Sequence, residues 1–271
     1  MRQKKLEMMK KLYERFHILI PARFNAKRLP GKPLLDILGK TLIQRVYEQA
    51  TRCGAETVTV ATDNERIYQT VKHFGGKVCM TDANHSCGTE RLSEATHLIG
   101  LKANAIVVNI QCDEPLIPKS AIQKTVMGLV EDPNATVSTL AIPITTRQEI
   151  FDPNIVKVVL SKNKQALLFS RAPIPWHHDA FQQKDVNFKK IVCYRHIGLY
   201  AYRTQTLQQF ANWTPTAIEK IECLEQLRIM WHGGKIHVSL VNHHFPQGVD
   251  TPADLKRMRA WYIKNNCTLN N

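Results

Sequence analysis

Short apolar runs alternate along this chain with stretches in which apolar residues recur every three or four positions. The runs Phe16 to Ile20, Thr57 to Ala61, Lys77 to Met80 and Ala105 to Ile110 read as strands. Helical periodicity covers Thr41 to Cys53, Glu65 to Phe74 and Thr89 to Ile99. This βαβ punctuation predicts an α/β fold with a mainly parallel sheet covered by helices on both faces. From Ala135 to Tyr202 the pattern turns β-rich, with strand-like segments at Thr136 to Ile142, Ile155 to Leu160, Gln165 to Ser170 and His196 to Tyr202, and a loop from Ala172 to Lys190. It reads as an inserted sheet or lobe. A helical segment at Ala217 to Trp231, a strand at Lys235 to Val241 and a helix at Pro252 to Asn265 close the chain, with no repeat or low-complexity linker. One α/β domain over residues 16–267 is expected, with the β-rich insertion at about 135–202 and residues 1–15 as a charged leader outside the fold, either a short helix or a disordered arm.

Composition narrows the class. At 271 residues the chain buries a full core as one large α/β domain or two smaller ones. Its hydrophobic fraction of 44% and charged fraction of 22% are those of a globular domain, and no apolar run approaches the roughly 20 residues that span a bilayer. No membrane segment is expected. The apolar run after the basic start is too short for a secretory signal core, which places the chain in the cytoplasm. Seven cysteines without a C-x-x-C pair predict reduced, mostly buried thiols, with neither disulfide framework nor structural zinc. The adjacent pairs His177-His178 and His243-His244 point their side chains apart and are poor metal ligands. A net charge of +14 favours anionic partners without choosing among nucleotides, acidic sugars, nucleic acid and membrane surfaces.

Three stretches carry candidate chemistry. The loop IPARFNAKRLPGKPL, Ile20 to Leu34, sets Arg23, Lys27, Arg28 and Lys32 among prolines and a glycine that exclude regular helix. Cations and free amides there can face a bound anion, or the loop is only a solvated basic turn. It leaves the first strand where ligands of open α/β sheets bind, which makes it the leading site candidate. VVNIQCDEPLIP, Val107 to Pro118, ends a buried-looking strand in Gln111, Asp113 and Glu114, which can hold a metal or satisfy backbone amides in a turn. QGVDTPADL, Gln247 to Leu255, places Asp250 before Thr251-Pro252, an N-cap followed by proline at the first helical position. Asp250 either helps that cap or shares a Mg²⁺ ion with Asp113, since Mg²⁺ takes one or two carboxylates plus phosphate oxygens.

With these stretches, VATDN, KVCMTDANHSCGTERL, SRAPIPW, HIGLYAY and ECLEQLR stand in the order found in the 3-deoxy-manno-octulosonate cytidylyltransferases, and the chain resembles that family from about Phe16 to Arg259. The resemblance implies a nucleotide-diphosphosugar-transferase, Rossmann-like fold with a smaller β-rich lobe for sugar binding and dimerisation. It also implies transfer of CMP from CTP to the anomeric hydroxyl of Kdo (3-deoxy-manno-octulosonate), with release of pyrophosphate, for lipopolysaccharide assembly. Carried over to this chain, it puts Arg23, Arg28 and Lys32 on the triphosphate and Mg²⁺ on Asp113 and Asp250. Ser86, Gly88, Thr89, Arg91 and Gln111 fall on the nucleotide side. Gln111, Arg171, His196, Tyr200, Glu225 and Gln226 fall on the Kdo side. Arg23, Lys32, Asp113 and Asp250 are the expected catalytic set, and a homodimer through the β-rich middle is implied.

Each of these residues has a plainer role open to it: Thr89 as a helix cap, Arg171 in a surface ion pair, His196 and Tyr200 as satisfied core residues, Glu225 on a solvated helical face. The family usually has glycine where this chain has Cys112, and cysteine there adds about 1–3 kcal/mol of strain if the position needs a positive φ. A cytidylyltransferase for another acidic sugar, such as a sialic acid, would share the phosphate loop and metal logic, but SRAPIPW and HIGLYAY favour Kdo. Nucleic-acid binding is disfavoured because the aromatics do not interleave with basic residues and no zinc-finger spacing occurs. A P-loop NTPase is disfavoured by the lack of G-x-x-x-x-G-K-[ST].

Overall fold

The computed structural model describes residues 16–24, 29–182, 187–188, 191–242, 245 and 247–266. The charged leader, Lys27 and Arg28 of the basic loop, part of the loop Ala172 to Lys190, His243-His244 and Cys267 lie outside these residues. In chain order the elements are β1 (Phe16–Ala22), β2 (Asp36–Ile37), β3 (Lys40–Thr41), α1 (Leu42–Thr51), β4 (Thr57–Thr62), α2 (Glu65–His73), β5 (Lys77–Met80), α3 (Gly88–Leu98), β6 (Ile106–Asn109) and α4 (Lys119–Glu131). There follow β7 (Val137–Pro143), α5 (Arg147–Phe151), β8 (Lys157–Leu160), β9 (Ala166–Ser170), β10 (Tyr194–Arg203), α6 (Thr204–Ala211), α7 (Ala217–Glu222), α8 (Gln226–Trp231), β11 (Ile236–Leu240) and α9 (Pro252–Asn266).

Among the described residues nine strands form one sheet, with the path β11-β7-β10-β6-β1-β4-β5 and the hairpin β8–β9 attached beside β10; β2 and β3 form a separate antiparallel pair. β6, β1, β4 and β5 run parallel, as do β11 and β7, while β10 runs antiparallel to both β6 and β7. The β-rich middle is therefore woven into the same sheet: β7 and β10 are central strands, and β8–β9 alone hang off the path.

Strand alternation distributes the apolar residues between two faces. Ile18, Ile20, Val60 and Val108 face one core with α1, α2, α4 and α9, whereas Leu19, Ala61 and Val107 face a second with α3, α6 and α8. Helices thus cover both faces, and the chain leaves β1 toward β4 and β5, then returns to β6 on the other side of β1. The carboxyl ends of β1 and β6 therefore border the crevice where such sheets bind ligands.

Ala217 to Trp231 is not one helix. Cys223, a non-glycine residue at φ 52°, breaks it into α7 and α8. A left-handed residue costs about 1–3 kcal/mol and is held only by its surroundings; here Thr216 and Glu219 form a capping box on α7, and the Leu224 N–H returns to the Glu219 carbonyl at 3.2 Å. The break lets the chain turn Glu225 and Gln226 toward the crevice. Among the described residues no helix is long and apolar enough to cross a membrane, and the six cysteines are all free.

Candidate active site

Lys32 sits on a single 3₁₀ turn, Lys32–Leu34, that follows Gly31 at φ 68°. Its ammonium is 2.5 Å from Asp113 Oδ2 and 3.1 Å from Asp250 Oδ1, with the residue only 8% exposed. Burial alone would lower the lysine's pKa, but Asp113 and Asp250 more than offset it and hold the ammonium charged. The loop bearing Asp250 docks on the loop bearing Asp113 through the Val249 N–H to the Asp113 carbonyl at 2.9 Å. A Cβ at Gly248 would stand 2.9 Å from that same carbonyl oxygen, so this close approach requires glycine. Helix capping does not claim the Asp250 carboxylate. Thr251 Oγ1 accepts the Asp254 N–H at 3.2 Å, and Asp254 Oδ2 accepts the Asp250 and Thr251 N–H groups, while Asp250 Oδ1 accepts from Lys32.

Next to this pair, burial and then the charges of Asp113 and Asp250 push the Glu114 carboxyl up to about 7. Cys112 is not strained: among the described non-glycine residues only Leu38, Lys164 and Cys223 have positive φ. Burial, then the Asp113 charge, pushes its thiol up to about 12, so it stays protonated.

Two oxygen-donor carboxylates converging on one cation suit a hard ion such as Mg²⁺. Among the described residues no group of three or more histidine, cysteine or acidic side chains can hold a metal by itself. An ion held by Asp113 and Asp250 would therefore complete its shell from water and substrate oxygens.

On the other side of Gln111 opens a cleft of about 350 Å³ lined by Gln111, His196, Tyr200, Glu225 and Gln226, with Thr89 and Asn109 at its edge. β10 explains how HIGLYAY builds its wall. The alternation of a strand sends His196, Gly198, Tyr200 and Tyr202 to the cleft, and Leu199 and Ala201 to the core behind. A register shift between Ile197 and Ala201 kinks the strand at this wall. Thr139 spans the kink: its hydroxyl, with one proton to share, stands 2.9 Å from both the Ile197 and the Leu199 carbonyls and 3.0 Å from His196 Nε2. His196 is neutral, its pKa pushed down to about 3 by burial.

The remaining expected residues divide. Arg23 reaches the Ser86 carbonyl with Nη1 at 3.5 Å, and its buried Nη2 has no hydrogen-bond partner among the described residues. Thr89 does not cap α3, because its hydroxyl donates to Glu225 Oε2 at 2.8 Å. Gly88 begins that helix with no atom nearer to a would-be Cβ than Pro21 Cγ at 3.9 Å. Arg91 lines none of the cleft; fully buried, it pairs with Asp63 Oδ2 at 2.5 Å and donates to Thr81 Oγ1. Arg171 lines a second, wider recess of about 670 Å³ that also holds Asp250 and His196. Its Nε and Nη1 donate to the Glu222 and Pro153 carbonyls at 2.7 and 2.9 Å, so it is not a surface ion pair. Sequence reasoning missed Asn109, whose buried Oδ1 has no hydrogen-bond partner among the described residues, although it lies two positions before Gln111 and lines the same cleft.

Comparisons with known proteins identify the family. The cytidylyltransferase family profile matches residues 17–236. The 3-deoxy-manno-octulosonate cytidylyltransferase of Vibrio vulnificus (strain YJ016) is 52% identical over 244 residues, 90% of this chain and 96% of that protein. The enzyme of that name from Coxiella burnetii (strain Dugway 5J108-111) is 49% identical over 247 residues, 91% of this chain and 99% of its own. A solved structure described as CMP:2-keto-3-deoxy-manno-octonic acid synthetase complexed with CTP superposes with a TM-score of 0.83 at 41% identity, covering 93% of this chain and 99% of that one. The chain belongs to the 3-deoxy-manno-octulosonate cytidylyltransferase family.

Proposed function

We propose that this chain transfers CMP from CTP to the anomeric hydroxyl of Kdo, releasing pyrophosphate and supplying CMP-Kdo for lipopolysaccharide assembly. The observation that carries the reading is the convergence of Lys32, Asp113 and Asp250 at the carboxyl end of β6, beside a polar cleft walled by β10 and α8. The sugar oxygen attacks the α-phosphorus directly, and the bond to the β-phosphate breaks, so no residue forms a covalent intermediate. Arg23 and Lys32, with Arg28 on the same loop, offset the charge that develops on the leaving pyrophosphate. Lys32 is placed to turn from these carboxylates to a phosphate oxygen of the triphosphate. Asp113 and Asp250 would hold Mg²⁺, which would supply charge neutralisation at the α-phosphate.

Ser86, Gly88 and Thr89 present the start of α3 to the nucleotide, and Gln111 stands between nucleotide and sugar. Arg91 serves indirectly, fixing Asp63 at the end of β4. On the Kdo side His196, Tyr200, Glu225 and Gln226 meet the hydroxyls, and Arg171 provides the cation that an acidic sugar requires. We place the enzyme in the cytoplasm, where CTP is made, as a homodimer. The exposed Leu167 and Leu168 of β9, with Trp176 and Val192 nearby in sequence, favour an interface at the β-rich middle.

The test is pyrophosphate release by the purified chain with CTP and Mg²⁺, given Kdo, a sialic acid or no sugar, beside an Asp113→Ala control. Release with Kdo alone, reduced at least about 10²-fold in the control, is expected. Release with sialic acid alone would overturn the sugar assignment, and none with any sugar would overturn the reaction.

A further inference from the structure

Glu90 lies in the first turn of α3 but does not cap it in the usual way. Its carboxylate reaches back over Ser86, accepting the Ser86 N–H at 2.8 Å and the Ser86 hydroxyl at 2.9 Å. Partial burial acts against ionisation, yet these bonds and Arg228 hold the carboxyl below the usual range. Arg228, 2% exposed, comes from α8 and stands 3.4 Å from Glu90 Oε1. Four other contacts fix it: Glu219 at 2.8 and 2.5 Å, the Trp213 carbonyl at 3.1 Å, and the Phe210 ring, whose centroid lies 4.1 Å from the guanidinium carbon. One turn earlier on the same side, Glu225 accepts the Thr89 hydroxyl. Segment 225–228 thus grips the start of α3 at two successive residues, Thr89 and Glu90. Beyond Ser86 the chain of contacts continues, because the Ser86 carbonyl accepts from Arg23.

We propose that Glu90 and Arg228 are positioning residues that clamp the Ser86–Thr89 turn to α8, so that the nucleotide pocket and the acidic-sugar pocket share one fixed frame. The inference rests on the reading of Ser86–Thr89 as the nucleotide side and of Glu225–Gln226 as the sugar side. Neither residue needs to touch substrate. The ion pair carries the effect because Arg228 is buried and both partners sit on packed helices, the setting in which residues in one network couple non-additively. A clamp of this kind acts mainly on substrate affinity, since it sets where the donors of the turn stand before CTP arrives.

The experiment measures initial rates of pyrophosphate release by the full chain, varying CTP at saturating Kdo and the reverse. Wild type is compared with Glu90→Gln, Arg228→Lys and the double variant. Glu90→Gln keeps the shape and loses the charge. A rise of about tenfold in the KM for CTP, about 1.4 kcal/mol, with a smaller change in kcat is expected for each single variant. The double variant should be little worse than either. A purely structural role would lower the melting temperature and the active fraction while leaving both KM values in place, and that result would overturn the proposal. So would additive effects of the two substitutions on KM. If Arg228→Lys fails to fold because Glu219 is left buried, Glu90→Gln decides alone. Absence of turnover in the wild type would sink the reading of the reaction, whereas turnover with an unmoved KM sinks only the clamp.

Discussion

Lys32 Nζ stands 2.5 Å from Asp113 Oδ2, although 81 positions separate the two residues. The contact joins the basic loop after β1 to the acidic turn after β6, neighbouring parallel strands whose carboxyl ends open on the same crevice. Lys32 thus rests on both carboxylates proposed to hold the metal, Asp113 and Asp250. Lys32→Met keeps the length of the side chain and removes the ammonium that bridges Asp113 and Asp250. It is expected to lower kcat/KM by about 10²–10³-fold and stability by about 1–3 kcal/mol in urea titration. Added Mg²⁺ should restore more stability to the variant than it adds to the wild type.

Gly248→Ala tests the docking of the two acidic loops. The new Cβ meets the Asp113 carbonyl and Glu114 Oε1, each at 2.9 Å, and a backbone carbonyl cannot swing aside as a side-chain end can. Asp250, two residues on, should be displaced. A loss of about 10²-fold in kcat with the fold retained is expected, read from rates together with circular dichroism.

Acid stability should depend on His196. Burial has pushed its folded pKa down to about 3, against about 6.5 unfolded. Its neutral form contributes fully above pH 6.5. As pH falls from 6.5 toward 3 the unfolded chain binds a proton that the folded chain refuses, and stability drops by up to about 1.4 kcal/mol per pH unit. His196→Asn should lose stability at neutral pH, through the broken Thr139 contact, yet show a shallower decline between pH 6.5 and 4.5. Urea midpoints across that range check this, and parallel slopes in the two proteins would refute it.

Cys112 should be inert and replaceable. With φ outside the left-handed region and the thiol at about 12, it gains little from glycine's freedom and offers almost no thiolate at pH 7.5. Cys112→Gly is expected to keep kcat within about twofold and to cost roughly 0.5–1 kcal/mol of backbone entropy. Mass spectrometry after brief iodoacetamide treatment should find the exposed Cys223 alkylated and Cys112 intact.

Much of this was legible in the chain itself because the signals are local. Alternating runs marked β1, β4, β5 and β6, and the turn chemistry of GVDTP marked the start of α9. The order of motifs then brought Lys32, Asp113 and Asp250 to notice before any distance was known. What stayed hidden depends on partners far away in sequence. Nothing local to Ala217–Trp231 announces that Cys223 adopts a left-handed backbone; the buried Glu219–Arg228 pair and the capping box around the break sustain it. Within KVCMTDANHSCGTERL the side chain of Arg91 turns to Asp63 and Thr81, partners that lie outside its own helix. Glu90 sat in the same motif unremarked, since its importance lies in Arg228, 138 positions on.

The antiparallel strand β10 constrains how this enzyme can be rebuilt. It carries the wall of the cleft proposed for Kdo, yet it pairs along one edge with β6, which leads into the turn of Asp113, and along the other with β7. The segment that carries this wall is therefore no detachable cassette. A chimera that exchanges residues 137–203 with those of a relative for a different acid must match the pairing of Tyr200 with Asn109 and of Ala201 with Val108. A slip of one residue there turns His196 and Tyr200 away from the cleft and moves the acidic turn along with them.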